Sequence, residues 1–330
     1  MQGFSLYSRD AAQQALGFLV SQTSFIEPEV YKTQYPDIQY QDLIPVDSRA
    51  NEWAKSVTFY SSDMVGRAEW FNHQASDVPL ADVTRQKFEH GIEMAAIGYS
   101  YTLEELGHAM MIPGMNLTTD RAEAARRAYL EFVDYVALHG DTAKAWTGLF
   151  NDPNVTIVNA ADGAGTPVSG STKKAWDSKT GDEIAKDVND ALTGIYTGTS
   201  TVEMADTVLL PVAEVSRLAT TRMNSTTDIN VLEWISRYNT YTQQTKQPLT
   251  IRAVRGLENA GAGGDIGRMV VYRRSPQVLK MHIPMPHRFL PVWQRGPLVF
   301  DVPGIFRLGG LEIRRPKAVR YVDAISNYAS

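Results

Sequence analysis

The sequence has 330 residues, of which 43% are apolar and 21% are charged, and its formal net charge is −5. This composition is typical of a folded protein with enough chain for about two domains, and the acidic balance argues against a dedicated nucleic-acid-binding protein. Because the sequence contains no cysteine, disulfide bonds, thiolate catalysis and cysteine-ligated zinc are excluded.

Neither a membrane span nor a signal peptide is indicated. No apolar run approaches the roughly 18–20 residues that a membrane-spanning helix requires. Residues 1–22 carry one arginine followed by an acid and have no clear cleavage site, so we interpret them as mature protein that is made in the cytoplasm.

The first 50 residues predict an arm rather than the start of a compact domain. A short amphipathic helix is indicated over residues 8–22. The stretch that follows contains Pro28, Pro36 and Pro45 among isolated aromatic residues. Because disordered tails are poor in aromatics, an extended arm that docks on another surface fits better than a floppy tail.

A two-stranded ribbon is predicted next. Residues 56–72 alternate like a pair of strands with a turn at 63–66, and the chain then passes through a strand into a helix capped at Thr102. An isolated ribbon of this kind is only marginally stable in water. It therefore needs a surface to lie on, which another subunit could supply.

Residues 118–139 give the clearest helix, capped by Thr118 or Thr119 and terminated by Gly140. At this length it spans roughly 30 Å, the width of a small domain. It ends at the corner WTGLFNDP (146–153), where apolar groups stand in what should be a turn.

After the corner, short strands and helices alternate, which indicates an α/β-like domain, and the C-terminal part is rich in strands. The predicted elements are a buried strand followed by a helix (206–219), an amphipathic helix capped by Asp228 (229–242), two strands around a glycine-rich turn (249–257 and 268–274), and turns at Pro303-Gly304 and Gly309-Gly310.

No motif in the sequence supports an enzyme, a cofactor or a metal site. One loop has the glycine spacing of a phosphate loop but Ser171 in place of the required lysine, and the glycine-rich segment 261–267 precedes a strand, so a hairpin tip is the better interpretation. Glu105 and His108 form half of a di-iron pattern without a second copy. A remote alternative is a soluble enzyme whose site combines scattered residues such as Glu105, His108 and Asp228.

A basic cluster lies near the C-terminus and consists of Arg314, Arg315, Lys317 and Arg320. It could contact phosphate. Because strand-like sequence surrounds it, we expect salt bridges between subunits instead.

Five segments follow one another in an order that matches a known family. They are Phe59-Tyr60-Ser61-Ser62-Asp63 followed by Gly66 and Ala68, SDVPLADV (76–83), YSYTLEEL (99–106), GLFNDPNV (148–155) and LEIRRPKAVRYVDAI (311–325). Together they resemble the major capsid proteins of tailed bacteriophages with the Hong Kong 97-like fold, and most closely the coat branch that also resembles encapsulin shells. The resemblance covers the chain from about residue 50 onwards.

The resemblance implies an α+β fold whose parts have defined places. The implied parts are an N-terminal arm (1–50), an extended loop or β-ribbon (51–92), a peripheral domain (93–154 and 301–330) with a spine helix (118–139), and an axial domain (155–300).

The implied function is that of a major capsid protein, not an enzyme, which self-assembles into the icosahedral shell of a tailed bacteriophage or prophage. The shell would enclose double-stranded DNA without sequence-specific binding. The implied partners are other copies in pentamers and hexamers, together with scaffolding, portal and decoration proteins, and no cofactor or membrane is expected. The protein would be made in the host cytoplasm and reside in the virion. The alternative is an encapsulin-like nanocompartment shell.

The resemblance also implies two groups of functional residues. The expected assembly contacts are Phe59, Tyr60, Arg67, Glu69, Trp70, Arg314 and Arg315. The residues expected to pack a hinge between the spine helix and the axial domain are Trp146, Leu149 and Phe150. Lys55 is a candidate for a crosslink between subunits, but no local motif identifies a partner, so no crosslink is predicted.

Overall fold

The computed structural model describes residues 37–66, 80–111, 116–167, 171–262, 264 and 266–327. The predicted helix at 8–22 and the predicted contacts Arg67, Glu69 and Trp70 lie outside these ranges. Helices and strands are mixed throughout the described part, as the α+β prediction requires, and that fold class is confirmed.

The described residues form seven α-helices and eighteen strands. The helices are α1 (Tyr40–Leu43), α2 (Leu103–Met110), α3 (Leu117–His139), α4 (Gly181–Gly198), α5 (Val212–Thr220), α6 (Val231–Arg237) and α7 (Thr240–Thr245). The strands are β1 (Val46–Asp47), β2 (Ser56–Val65), β3 (Asp82–Gly91), β4 (Glu93–Ala96), β5 (Tyr99–Thr102), β6 (Gly140–Asp141), β7 (Trp146–Thr147), β8 (Thr156–Asn159), β9 (Thr207–Leu210), β10 (Thr250–Ala253), β11 (Ile266–Tyr272), β12 (Leu279–His282), β13 (Met285–Phe289), β14 (Trp293–Gln294), β15 (Val299–Val302), β16 (Gly304–Leu308), β17 (Leu311–Ile313) and β18 (Val319–Asn327).

A five-stranded sheet with the order β10-β9-β11-β18-β8 forms the centre of the fold. Alternate side chains of its strands point to opposite faces, and both faces of the inner strands β9, β11 and β18 are largely buried. Val208 and Leu210 join a core cluster with α4, whereas Leu209 joins a second cluster with α3. Burial on both faces explains why β9 and β11 read as continuous apolar runs.

The long helix α3 packs one narrow stripe against this sheet. Its buried residues include Ala125, Tyr129, Val133 and Val136, which recur at intervals of three or four. Asn116 caps the helix, because its Oδ1 accepts a hydrogen bond from the Thr119 N–H, so the predicted caps Thr118 and Thr119 lie inside the first turn. The predicted end is correct, since the helix stops at His139.

The predicted turn at Asp63–Gly66 is wrong. β2 continues to Val65 and pairs antiparallel with β3, from Ser56 opposite Gly91 to Val65 opposite Asp82. Cross-strand pairing over ten residues outweighs the local turn preference of Asp63 and Gly66. The ribbon is therefore built from 56–65 and 82–91 rather than from 56–72 alone.

Two further predictions in the second half are corrected. β10 and β11 do not form a hairpin around the glycine-rich segment, because β9 lies between them and pairs with both. The helix predicted over 229–242 is two short helices, α6 and α7. Asn230 and Asn239 cap them through hydrogen bonds to their own first turns, whereas Asp228 caps neither.

The C-terminal strand β18 lies inside the central sheet. It pairs antiparallel with β11 and parallel with β8. The sequence analysis assigns β18 to the peripheral domain. In the structure it shares a sheet with strands of the predicted axial domain. Smaller sheets flank this centre, with the strand orders β1-β12-β17, β13-β16-β4 and β14-β15-β5.

Candidate assembly surfaces

The ribbon of β2 and β3 stands almost entirely free of the other described residues. Apart from Ser56, Val57, Phe59 and His90 at its root, all of its residues are exposed. Large apolar side chains are among them, and Met64 is 82% exposed. An apolar surface of this kind marks an interaction site when it is contiguous.

The pairing register gives the ribbon two faces. One face carries Val57, Phe59, Ser61, Asp63 and Val65, with the partners His90, Phe88, Gln86, Thr84 and Asp82. The other face carries Thr58, Tyr60, Ser62 and Met64, with the partners Glu89, Lys87, Arg85 and Val83. Tyr60, a predicted assembly contact, lies on this second face and is 69% exposed.

The first face is held to the body of the protein at its root. The Phe59 ring stacks on Phe88 with 5.1 Å between centroids, and the Arg314 guanidinium lies 4.2 Å from the Phe59 centroid. Arg314 Nε also donates to Glu312 at 3.1 Å. Two predicted assembly contacts, Phe59 and Arg314, therefore contact each other within one chain.

Two histidines complete this root, the buried His282 and the partly buried His90. His282 Nε2 lies 2.7 Å from Glu312 Oε2, and the His90 ring nitrogen contacts the Gly309 carbonyl. Burial lowers the pKa of His90. Burial opposes ionisation of Glu312 as well, but hydrogen bonds from His282 and Arg314 together bring its pKa below the ordinary value. The Arg314–Phe59 and His90–Gly309 contacts thus tie the ribbon root to the residues on either side of β17.

Arg315 has an ion-pair partner inside its own chain. Its guanidinium contacts the carboxylate of Glu203, which also pairs with Arg273. Glu203 is only 3% exposed, so the two arginines compensate a buried charge. A contact between Arg315 and a neighbouring subunit stays a prediction.

The corner after α3 is buried rather than turned towards solvent. Leu149 and Phe150 are fully buried and Trp146 is partly buried. The N–H groups of Leu149 and Phe150 donate to the carbonyls of Ala137 and Leu138, so the corner folds back on the last turn of α3. The packing of these residues is thus observed, whereas their role at a hinge stays a prediction.

Glycine and asparagine allow this tight return. Gly140 adopts a φ of 75°, which side chains disfavour, and a Cβ there would also strike the Trp146 carbonyl. Asn151 bridges the two limbs, because its Oδ1 accepts from the Gly148 N–H at 2.7 Å and its Nδ2 donates to the His139 carbonyl at 2.7 Å.

Two residues of the central sheet fasten the corner. The Tyr321 hydroxyl donates to the Leu149 carbonyl at 2.7 Å and accepts from the Asp152 N–H at 3.2 Å. Arg268 donates to the Phe150 carbonyl at 2.5 Å. Burial raises the pKa of Tyr321, so its hydroxyl stays protonated and able to donate.

Arg268 is itself held by a buried carboxylate. Its Nε and Nη2 donate to the two oxygens of Asp323 at 2.6 and 2.8 Å, and its guanidinium lies 4.6 Å from the Tyr321 ring centroid. Sequence analysis missed these three residues. The available signal was a charged residue, Arg268 and Asp323 respectively, among the apolar residues of β11 and β18.

Glu105, one of the residues of the enzyme alternative, has an ordinary structural role. Glu105 accepts from the Thr102 N–H in a capping box and pairs with Arg121. The hydrogen bond from Arg121 lowers the pKa of Glu105 to about 2. Within the described ranges, no cluster of three or more histidine or acidic side chains could hold a metal ion.

A search of the helices in the described part of the chain finds none that is long and apolar enough to span a membrane.

A sequence profile described as "Major capsid protein" matches residues 66–325. No curated protein matches the sequence.

Solved structures share the fold at low sequence identity. The capsid of Myoviridae phage XM1 is 19% identical with a TM-score of 0.75, over 92% of this chain and 97% of that chain. The Microbacterium phage Oxtober96 structure is 11% identical with a TM-score of 0.62, over 94% and 97%. The capsid of an empty GTA particle is 11% identical with a TM-score of 0.60, over 93% and 96%.

Proposed function

The chain belongs to the major capsid protein family, and we propose that it forms the icosahedral shell of a tailed bacteriophage or prophage around double-stranded DNA. Proteins of this family assemble with copies of themselves into shells, and the family is not an enzyme class. The resemblance predicted from the sequence is confirmed, and the fold is that of the phage capsids described above.

The exposed ribbon is the observation that carries the proposal. Ten residue pairs extend from the body with apolar side chains in solvent, and nothing in the same chain covers the face of Tyr60 and Met64 among the described residues. Full burial of each such side chain contributes about 1.5–3 kcal/mol. A shell can supply that burial many times over, because closed symmetry repeats each contact.

The parts of the chain receive roles in this proposal. Residues 1–50 act as the arm and 51–92 as the extended loop, while 93–154 form most of the peripheral domain and 155–300 the axial domain. The pairing of β18 with β11 and β8 supports moving 319–327 from the peripheral to the axial group.

Assembly would proceed through pentamers and hexamers in the host cytoplasm, with scaffolding, portal and decoration proteins as further partners. The exposed Tyr60 and the ribbon face around it are the proposed contacts between copies. Because Phe59 and Arg314 already contact each other within one chain, we assign them to orienting the ribbon root rather than to a first contact. We assign Arg315 to compensating the buried carboxylate of Glu203.

Removal of the ribbon tests the proposal. The full chain should form closed particles visible by electron microscopy. A variant lacking residues 60–80 should remain folded, with a circular dichroism spectrum and melting temperature close to those of the full chain, yet form no stable particles. Intact particles from the deletion would refute the role of the ribbon.

The content of the particles distinguishes a phage shell from a nanocompartment. Particles isolated from the producing host should contain nuclease-protected DNA. Particles that instead hold a protein cargo and no DNA would support the encapsulin-like alternative.

A further inference from the structure

We propose that a half-open cavity between α1, α3 and β13 is the docking site for the acidic, aromatic segment FIEPEVY (25–31) of a second copy of the chain. This inference rests on the proposed function and deepens it, because it names the surface that receives the arm and the chemistry that recognises it.

The cavity has a volume of about 620 Å³, enough for several side chains. Tyr40 and Tyr129 are almost fully buried and form part of its wall. Val46 and Phe289 also line it and remain 44% and 37% exposed. The cavity therefore offers apolar and aromatic surface that the described part of the chain leaves uncovered.

Two arginines give the cavity a positive charge. Arg126 and Arg274 belong to its lining, and none of the described lining residues is acidic. Among the described residues, neither forms an ion pair, although Arg274 Nη2 donates to the Gln41 carbonyl at 3.1 Å. An uncompensated pair of exposed guanidinium groups beside aromatic walls fits a partner that is both acidic and apolar.

The segment 25–31 has this chemistry. Glu27 and Glu29 are the only closely spaced acids among the first 36 residues, and Phe25, Ile26, Val30 and Tyr31 surround them. In an extended backbone, residues two apart lie on the same side at about 7 Å spacing. An extended segment would thus present both carboxylates to one surface.

The direction of the chain favours a second copy over the chain's own arm. Tyr40 lines the cavity, whereas Asp37 and Ile38 line another one near the C-terminal end of α3. The N–H groups of Gln39 and Tyr40 fix this path by donating to Asp134 Oδ1 at 2.9 and 2.8 Å.

Followed towards its N-terminus, the chain therefore moves away from Arg126. Residues 25–31 lie 6–12 positions before Asp37, a reach of roughly 20–40 Å when extended. Docking in the chain's own cavity would require the chain to reverse its direction within that length, which favours the cavity of a second copy.

Charge reversal tests the proposal. The cavity variant Arg126→Glu/Arg274→Glu and the arm variant Glu27→Lys/Glu29→Lys each place like charges together. Each alone should lower the yield of particles about tenfold, because two ion pairs are lost and the effect repeats over the shell. The control Lys173→Glu/Lys246→Glu changes the net charge by the same amount as the cavity variant, at positions away from the cavity, and should leave the yield unchanged.

Mixing the two variants identifies the occupant. In a co-expressed mixture, each cavity can meet a matched arm only on the other variant, so docking between copies restores the yield. Rescue in the quadruple variant but not in the mixture would show docking within one chain and overturn the proposal. No rescue in either would show that the cavity does not receive this segment.

A peptide gives a readout that is independent of particles. A fluorescent peptide of residues 24–33 should bind the unassembled full chain and bind the cavity variant about tenfold more weakly. Equal binding to both would overturn the inference even if shells form. Absence of particles from the wild-type chain, with peptide binding intact, would contradict the proposed function instead.

Discussion

The ribbon and the corner after α3 contain similar side chains in opposite surroundings. Tyr60 and Met64 stand in solvent on the ribbon, whereas Leu149 and Phe150 are fully buried at the corner. Burial of large apolar groups is the main source of folding free energy. The corner gains it within one chain, whereas among the described residues nothing covers the ribbon face of Tyr60 and Met64. Apolar sequence alone therefore does not reveal whether a segment stabilises the subunit or the assembly.

The largest effect on the subunit should come from the corner. Phe150→Ala should lower the free energy of unfolding by about 3–5 kcal/mol, because it leaves a cavity in the main core. Chemical denaturation of the unassembled chain measures it. Tyr60→Ala is the matched control on the ribbon and should change the same quantity by less than about 0.5 kcal/mol. Similar losses of unfolding free energy for both variants would contradict the difference between the corner and the ribbon.

The next largest loss of stability should come from Arg268, which binds the corner and pairs with Asp323. Arg268→Met should cost about 3–4 kcal/mol, because Asp323 would be left buried without its arginine. The double variant Arg268→Met/Asp323→Leu should recover a large part of that loss, since no buried charge remains. If the double variant is no more stable than Arg268→Met in denaturant titrations, the pair is not the reason for the cost.

The free energy of unfolding should depend on pH through Asp47, which lies in the segment that leads into the ribbon. Hydrogen bonds from Arg49, and secondarily from Lys280, hold the pKa of Asp47 well below its usual value. A lowered folded-state pKa contributes stability above the unfolded pKa of about 3.9, and this contribution is lost as the pH falls below that value.

Asp47→Asn should therefore be less stable than wild type by about 1–2 kcal/mol at pH 7, with the gap closing towards pH 2. Urea titrations across this range measure the gap. Asp228→Asn, which removes an exposed acid elsewhere on the chain, is the control for a general effect of charge. A constant gap for Asp47→Asn would mean that its charge is not responsible.

The smallest change in subunit stability should come from exposed tyrosines, but one of them should affect assembly. Tyr60→Ser and Tyr238→Ser each remove an exposed tyrosine, one on the ribbon and one beside α6. Both should change the free energy of unfolding by less than about 0.5 kcal/mol. Particle yield, counted by electron microscopy, should fall for Tyr60→Ser alone. An equal fall for both would remove the distinction between the ribbon and ordinary surface.

Elements with strong local signals were predictable. The end of α3 at Gly140 and the succession of β9 and α5 followed from periodicity and breaker residues. The register of the ribbon could not be predicted in this way, because Asp63 pairs with Thr84, which is too distant in the sequence for local turn preferences to indicate. The insertion of β9 between β10 and β11 was likewise set by tertiary packing.

The candidate surfaces were predictable in part. The apolar corner residues stood out in the sequence, but their fastening by Arg268 and Tyr321 did not, since those residues lie far along the chain. The family was recognised from five ordered segments. The contacts between copies depend on molecules outside a single chain, so Tyr60 and the other predicted contacts stay predictions.

Amide hydrogen exchange, compared between the unassembled chain and purified particles, tests most directly whether the ribbon obtains its cover from sister copies. We predict that residues 56–65 and 82–91 exchange at least about tenfold more slowly in particles, whereas residues 148–152 exchange equally slowly in both states. Equal exchange of the ribbon before and after assembly would contradict the account.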